Sequence, residues 1–351
     1  MAAAAPAPGT RKIRTGILGI QHSHLGGKVE AMRSNPAYAL AAVCEPDAKT
    51  RHARGELAGL RGLPWVSMDD LLRDASIDLI VFEGEVKDAV PFGKRVIEAG
   101  KHLHLEKPPG NTLAPFAELA VLAERNQRLL QLGYLWRFHE GCERALRAMR
   151  AGWLGEVFMI RATISSDRDR PQRAVEARYP GGTMFELGGH MIDRVVAFLG
   201  RPAAVRAWLR HDTSEPDELK DNTLAVFEYD RALALIVSAA KMAGATAHRS
   251  FEVIGTDGTI MIQPMEPEPV MRVFVRSARG PYQAGWQEIR LGPQPRYVGD
   301  FKELAEAILG GRSLRYSYGH ELLLHETLLR ASGETVSAAR MMPPRTGGTQ
   351  A

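Results

Sequence analysis

The sequence predicts an α/β chain in two parts: a doubly wound parallel sheet, then an α+β unit with a large, mostly antiparallel, open-faced sheet. Three observations predict it. A length of 351 residues corresponds to two domains at ~100–200 residues each. Up to about residue 134, short continuous apolar runs alternate with longer amphipathic stretches, as strands buried on both faces alternate with helices. Beyond it, strand-like runs follow one another across tight turns such as Tyr229-Asp230-Arg231 and Gly255-Thr256-Asp257-Gly258, which reads as an antiparallel meander. The division is a disordered Ala/Pro-rich start (1–10), a first domain (11–133), a second domain (134–335) and a flexible tail (336–351).

In the first domain, Ile13–Leu18 reads as a buried strand, and 22–34 as a helix that stops before Asn35-Pro36. Leu40–Cys44 is a strand, and Met68–Arg73 a helix with Ser67 as N-cap. Asp78–Phe82 is a strand, 86–99 a helix closed by Gly100, and His102–Glu106 a strand. Leu113–Arg125 is a helix and Leu129–Leu132 a strand. Right-handed crossovers gather the strand C-termini on one edge, where such sheets bind ligands. In the second domain a helix over 137–150 and a strand over 156–164 precede an Arg-bearing polar loop, 165–182, and a helix over 183–199. Strands follow at Ala204–Arg210, Thr223–Tyr229, Leu233–Ala239, Phe251–Ile254, Thr259–Ile262, Met271–Val275 and Trp286–Leu291, then helices at 298–309 and 318–331.

Hydrophobic residues at 45% and charged residues at 25% fit a globular protein and exclude a disordered or collagen-like chain. The basic excess is +4, with 35 Arg and 10 Lys, and it is interleaved with Asp and Glu rather than blocked, so no nucleic-acid partner is expected. Cys44 and Cys142 have no metal or disulfide spacing. The opening MAAAAPAPGTRK lacks an apolar stretch behind a positive one. No run reaches the ~20 apolar residues of a membrane helix. A soluble cytoplasmic protein without a membrane partner is the expectation.

The first strand ends in Gly16-Ile17-Leu18-Gly19-Ile20-Gln21-His22-Ser23-His24. A dinucleotide fold places GxGxxG here, so that the backbone can approach a pyrophosphate. Only Gly19 fills the pattern; Gln21 and His24 take the other glycine positions. Glu45 ends the second strand, where a carboxylate accepts hydrogen bonds from ribose hydroxyls and repels a 2′-phosphate. This favours NAD over NADP as cofactor.

Two further segments stand out: Gly100-Lys101-His102-Leu103-His104-Leu105-Glu106-Lys107-Pro108-Pro109, and Gly181-Gly182-Thr183-Met184-Phe185-Glu186-Leu187-Gly188-Gly189-His190-Met191-Ile192-Asp193. With Gly133 to Phe138 and the 298–309 helix, they make the chain resemble the Gfo/Idh/MocA oxidoreductases (glucose–fructose oxidoreductase, inositol dehydrogenase and rhizopine-catabolism proteins) from Ile13 to about residue 333. The resemblance implies an N-terminal Rossmann domain, a C-terminal substrate domain, and hydride transfer between NAD(P) and a sugar, cyclitol or sugar-derived polyol. It also implies a homo-oligomer, a dimer or tetramer, formed through the C-terminal sheet.

By the same resemblance the catalytic residues are Lys107, His190 and Glu186. The Lys107 ammonium would stabilise charge on the reacting oxygen. A neutral His190 would take the hydroxyl proton. Glu186 stands where the family has Asp, and would orient His190 or hold a substrate hydroxyl. Cofactor binding falls to Gly19, Gln21, His22, Glu45, Glu106 and Lys107, and substrate binding to Arg137, Arg168, Arg170, Tyr179 and Asp193. Gly84-Glu85-Val86 and Ala89 replace the family's Thr-Pro-Asn and following histidine, which leaves Gln21 and His22 as candidate donors to the cofactor.

Two side readings remain. Arg161, Arg168, Arg170, Arg173 and Arg178 precede the 183–199 helix and would read an anionic substrate group, or else pair with Asp167, Asp169 and Glu176. His102, His104 and Glu106 share a strand face near His22 and His24; the family has a histidine at position 102 without metal, so no metal is expected. Two other functions keep the cofactor: a glycosidase or lyase that oxidises transiently, and a non-catalytic NAD-binding subunit.

Overall fold

The computed structural model describes residues 11–336. The expected disordered start, and the tail from 337 on, lie outside the described residues. The first sheet has five parallel strands: β1 (Ile13–Leu18), β2 (Tyr38–Cys44), β3 (Leu79–Phe82), β4 (His102–Leu105) and β5 (Leu130–Leu132), in the order β2-β1-β3-β4-β5. A parallel bridge from Val43 to Trp65 adds the trace of a further edge strand beside β2. Helices α1 (Leu25–Arg33), α2 (Ala48–Arg54), α3 (Met68–Arg73), α4 (Val86–Glu98) and α5 (Leu113–Arg125) make the connections. The strands are nearly all buried on both faces, as the continuous apolar runs require.

The second part holds α6 (Glu140–Arg150), β6 (Val157–Thr163), α7 (Arg170–Glu176), a π-helical turn at Met184–Gly188, and α8 (Gly189–Leu199). Strands β7 (Ala204–Arg210), β8 (Asn222–Glu228), β9 (Leu233–Ala239), β10 (Ser250–Gly255), β11 (Gly258–Ile262), β12 (Val270–Val275) and β13 (Gly285–Arg290) join β6 in one eight-stranded sheet. A short α9 (Ala245–His248) precedes β10, and α10 (Val298–Gly310) and α11 (Tyr318–Ala331) follow. The sheet is not one continuous meander. Its order is β13-β12-β11-β10-β6-β9-β8-β7, with β6 inserted between two meanders and paired parallel to β9. One face, with Phe227, Ile236, Phe251 and Val273, is buried; the other leaves Phe158, Trp208, Leu233 and Trp286 exposed.

Two helices depart from the expected pattern. The 165–182 stretch is not all loop: Asp169 accepts from the Gln172 N–H, the Gln172 side chain answers, and α7 starts there. Helix α2 buries no residue, so it has no apolar period to reveal it, although Asp47 caps it through the Thr50 N–H.

The last two helices return to the earlier elements. The Tyr38 hydroxyl donates to the Phe301 carbonyl at 2.6 Å, and the Gln131 side chain donates to the Asp300 carbonyl at 3.2 Å. Behind the site, Arg137 donates to Asp193 of α8 at 2.8 Å and to Glu321 of α11 at 2.6 and 2.7 Å; all three are buried. Burial alone would raise the Asp193 carboxyl, but Arg137 and Arg194 hold it well below the usual range. Its contribution to stability is therefore present above the unfolded value near 3.8 and is lost as pH falls through the depressed folded value. Arg137→Met leaves both carboxylates without this partner. We expect it to cost about 3–5 kcal/mol in denaturant unfolding and to move the acid-unfolding midpoint to higher pH.

Candidate active site

The strand C-termini of β1 and β3 form the crevice where the sheet order reverses, the place at which such sheets take ligands. Gly19 sits there with φ +80, and a Cβ on it would lie 2.6 Å from the Gly84 backbone. Only glycine lets these two loops touch. A cavity of about 280 Å³ opens beside them, lined by Gly19, Gln21, Glu45, Asp47, Thr50 and Gly84 among others. Glu45 accepts from the Ile20 N–H at 2.8 Å and the Asp47 N–H at 2.9 Å, which fixes its carboxylate at the cavity wall. Burial raises the Glu45 carboxyl, with the two N–H groups pulling the other way. No side chain caps α1, so its first N–H groups have no side-chain acceptor. Gly19, the uncapped α1 and Glu45 fit a dinucleotide: close approach, anion-accepting helix end, ribose acceptor.

Gln21 lines this cavity, its side chain donating to Thr50 Oγ1 at 3.2 Å. His22 departs from its expected role as a donor to cofactor. Its N–H, like that of Gln21, donates to the Glu83 carbonyl at 2.9 Å, and its ring faces carboxylates. Glu106 likewise turns inward, onto the Lys28 ammonium and His24 Nδ1, the latter at 3.1 Å.

These residues make a buried charge cluster at the crevice floor. Lys28 also donates to Glu83 at 2.5 Å, and Lys28, Glu83 and Glu106 are almost wholly inaccessible. Burial opposes the Lys28 charge, but Glu106 and Glu83 hold the ammonium above its ordinary range. Neither Lys28 nor Glu83 stands out in the sequence by itself. The available signal was Lys28's place on the buried stripe of its helix, beside Leu25, Val29 and Met32: a lysine there needs buried carboxylates.

Lys107, just past β4, is buried and donates to both the Glu186 carbonyl and Glu186 Oε1 at 2.9 Å. Glu186 lies in the π-helical turn. Such turns free a carbonyl from the helical ladder, and here that carbonyl takes Lys107. Gly182, with φ +54, leads into the turn, and a Cβ on it would lie 2.6 Å from the Lys220 carbonyl oxygen. Burial alone would raise the Glu186 carboxyl, but Lys107 and His22 hold it well below the usual range. Glu186 therefore pairs with Lys107 rather than orienting His190.

His190 is oriented instead by the main chain. Its Nδ1 accepts the Leu135 N–H at 3.1 Å, and its ring packs among Tyr134, Trp136 and His24. Burial, then the Lys107 ammonium and His24, hold the imidazole well below the usual histidine range. The neutral ring must then carry its proton on Nε2. The geometry makes His190 a hydrogen-bond donor toward the crevice, in place of the proton acceptor expected from sequence.

The expected substrate residues divide. Arg137 and Asp193 are engaged with each other and with Glu321, Arg194 and His320, inside the core, so neither is free to bind substrate. Arg168 pairs with Glu176 at 2.5 Å. Arg173 is held by Asp217 and Asp221, and Arg161 by Glu252. Arg170 is exposed at the start of α7. Tyr179 packs on Phe185 beside Glu186, and burial, then Glu186, raises its hydroxyl. Burial pushes the Glu176 carboxyl up to about 7, against Arg168, and its Oε2 is buried without a hydrogen-bond partner.

His102 and His104 build no metal site: His102 accepts the Leu129 N–H, and His104 bonds Gln131 against Phe301. His22, His24 and Glu106 do bring three donor atoms within 4.8 Å. Those donors are already used, Glu106 by Lys28 and His24, and His22 Nδ1 by the His24 N–H at 3.2 Å. No helix among the described residues is long and apolar enough to cross a membrane.

Residues 13–134 match the oxidoreductase family with an NAD-binding Rossmann fold, and residues 142–261 match the GFO/IDH/MocA C-terminal domain. A dTDP-3,4-didehydro-2,6-dideoxy-alpha-D-glucose 3-reductase of Streptomyces violaceoruber is 26% identical over 273 residues, 75% of this chain and 78% of that protein. The solved structure of aldose-aldose oxidoreductase from Caulobacter crescentus, complexed with glycerol, superposes with a TM-score of 0.75 at 23% identity, covering 92% of this chain and 98% of that one. GenD2 from gentamicin A biosynthesis, solved with NAD, gives 0.75 at 22% identity, covering 95% and 98%. The chain is an oxidoreductase of the Gfo/Idh/MocA family, with an NAD-binding Rossmann domain at its N-terminus.

Proposed function

We propose that this enzyme transfers a hydride between NAD and a carbonyl or carbinol carbon of a sugar, cyclitol or sugar-derived polyol. One observation carries the reading: Lys107, held by Glu186, lies near enough to His190 for its ammonium to lower the imidazole, whose Nε2 is left as a donor by the Leu135 N–H on Nδ1. Two donors and no free acceptor on these groups suit an oxygen that gains negative charge. Bound NAD(H) supplies the hydride. Lys107 and His190 hydrogen-bond the oxygen, and the Lys107 ammonium, held by Glu186 at 2.9 Å, gives it a proton. In the reverse direction a neutral Lys107 takes that proton.

A sugar fits the remaining wall. Glu176, with its unpartnered oxygen, and Tyr179 stand beside Glu186 and offer hydrogen bonds to hydroxyls. The acidic lining of the cavity, with Glu45, Asp47, Glu85 and Asp88 against Lys87, favours NAD over NADP. Copies of the chain pair through the outer face of the eight-stranded sheet, where Trp208 and Trp286 are exposed. The 26% identity to a dTDP-3,4-didehydro-2,6-dideoxy-alpha-D-glucose 3-reductase supports the substrate class.

Lys107→Ala should lower kcat for keto-sugar reduction by about 100- to 1000-fold while leaving NADH binding measurable by nucleotide fluorescence. A panel of ketoses, oxidised sugars and inosose, followed at the reduced-nicotinamide absorbance, tests the assignment; no turnover across the panel would sink it. Glu45→Gln removes the ribose-facing charge. It should weaken NAD binding about tenfold and lower the NAD-to-NADP preference, both read by calorimetry.

A further inference from the structure

We propose that His22 passes protons between solvent and the Lys107–Glu186 pair. This rests on the reading of Lys107 as the group that protonates the reacting oxygen.

Lys107 is the buried end of this group. The Lys107 side chain is 1% exposed and Glu186 13%, whereas His22 is 18% exposed and the next residue, Ser23, lies on the surface. His22 Nε2 stands 3.7 Å from Glu186 Oε1. The His24 N–H reaches His22 Nδ1, which leaves Nε2 as the ring nitrogen toward Glu186. The other histidines at the crevice are held differently. His24 bonds Glu106, and His190 bonds the Leu135 N–H.

The surroundings also provide for the charged ring. Glu83, Glu106 and Glu186 reach His22 from the ends of β3, β4 and the π-helical turn, at 4.0, 3.9 and 3.7 Å. Lys28 and Lys107 are the ammoniums among them, and His24 and His190 are neutral. Burial pushes the Glu83 carboxyl up to about 7 against Lys28; when it is ionised, three carboxylates face two ammoniums, and a proton on His22 balances the remaining charge. Glu83 Oε2 is buried with no hydrogen-bond partner and faces His22 Nδ1, the atom a second proton would occupy. Burial opposes that charge, but Glu106 and the Glu186 hydrogen bond raise the ring above the usual histidine range.

The balance is complete. In reduction, hydride joins the carbon and the Lys107 proton joins the oxygen, leaving a neutral amine. The His22 imidazolium gives its Nε2 proton to Glu186 Oε1 and keeps the proton on Nδ1, Glu186 gives one to Lys107, and water protonates His22 again at Nε2. Oxidation runs the sequence backward. His22 thus acts through Glu186 and Lys107, not on the substrate.

The test has two arms. In the first, histidine ring resonances of the ¹⁵N-labelled full chain are followed from pH 5 to 9, with His22→Gln and His22→Asn used for assignment. His22 should titrate above 6.5, and Glu186→Gln should lower its midpoint. No His22 titration in this range, or a midpoint unmoved by Glu186→Gln, overturns the proposal whatever the substrate. In the second arm, His22→Gln should keep the parent's melting temperature and its NADH affinity within about twofold. It should lower kcat about tenfold at pH 6, with the deficit closing as pH rises through the His22 midpoint found in the first arm, and added imidazole should restore part of the rate. An unchanged pH profile, or a defect confined to NADH affinity, also overturns it. If no carbonyl compound turns over, the substrate reading fails, and the resonance arm still decides whether His22 and Glu186 exchange protons.

Discussion

Three buried carboxylates and two buried ammoniums share one crevice, and much of the surrounding structure serves to keep them paired. An unpaired charge in such a place costs several kcal/mol. Glu83 follows β3, Glu106 and Lys107 follow β4, Lys28 comes from α1, and Glu186 comes from the second part of the chain. Each strand end must stop where its charge meets a partner. The Lys107–Glu186 contact ties the two halves together at a buried charge, because neither half alone satisfies both groups.

The same economy of partners explains His190. The main chain at Leu135 takes one ring nitrogen and leaves the other as a donor. Glu186, released from holding the ring, is available to Lys107. The contacts thus separate: backbone orients His190, and the Glu186 carboxylate holds Lys107. Behind this, the Arg137–Asp193–Glu321 group is a second, drier set of charges that supports the helices carrying the site without facing it.

Much of this was legible in the sequence. The strands of the parallel sheet were found within two residues, because continuous apolar runs leave few alternatives. Lys107, His190 and Glu186 could be singled out because their motifs are contiguous, and the structure brings Lys107 and Glu186 into contact. The position of β6 beside β9 was not, since local periodicity carries no information about which strands pair. Arg137 and Asp193 were misplaced because a guanidinium near a catalytic motif reads the same whether it faces a ligand or a buried carboxylate. Lys28 and Glu83 acquire meaning only as a pair, and they are separated by 55 residues.

The contacts of α10 bear on how the chain is made. Phe301 packs its ring against Tyr38 and His104, so a helix near the C-terminus completes the core of a sheet whose strands all lie before residue 133. During synthesis that sheet emerges from the ribosome long before its final covering element. The nascent first half must wait, with Tyr38 and the edge of the sheet uncovered, until α10 has been translated. Translation speed and chaperone contact over that interval therefore act on the yield of folded enzyme, and a truncated first half lacks part of its own core.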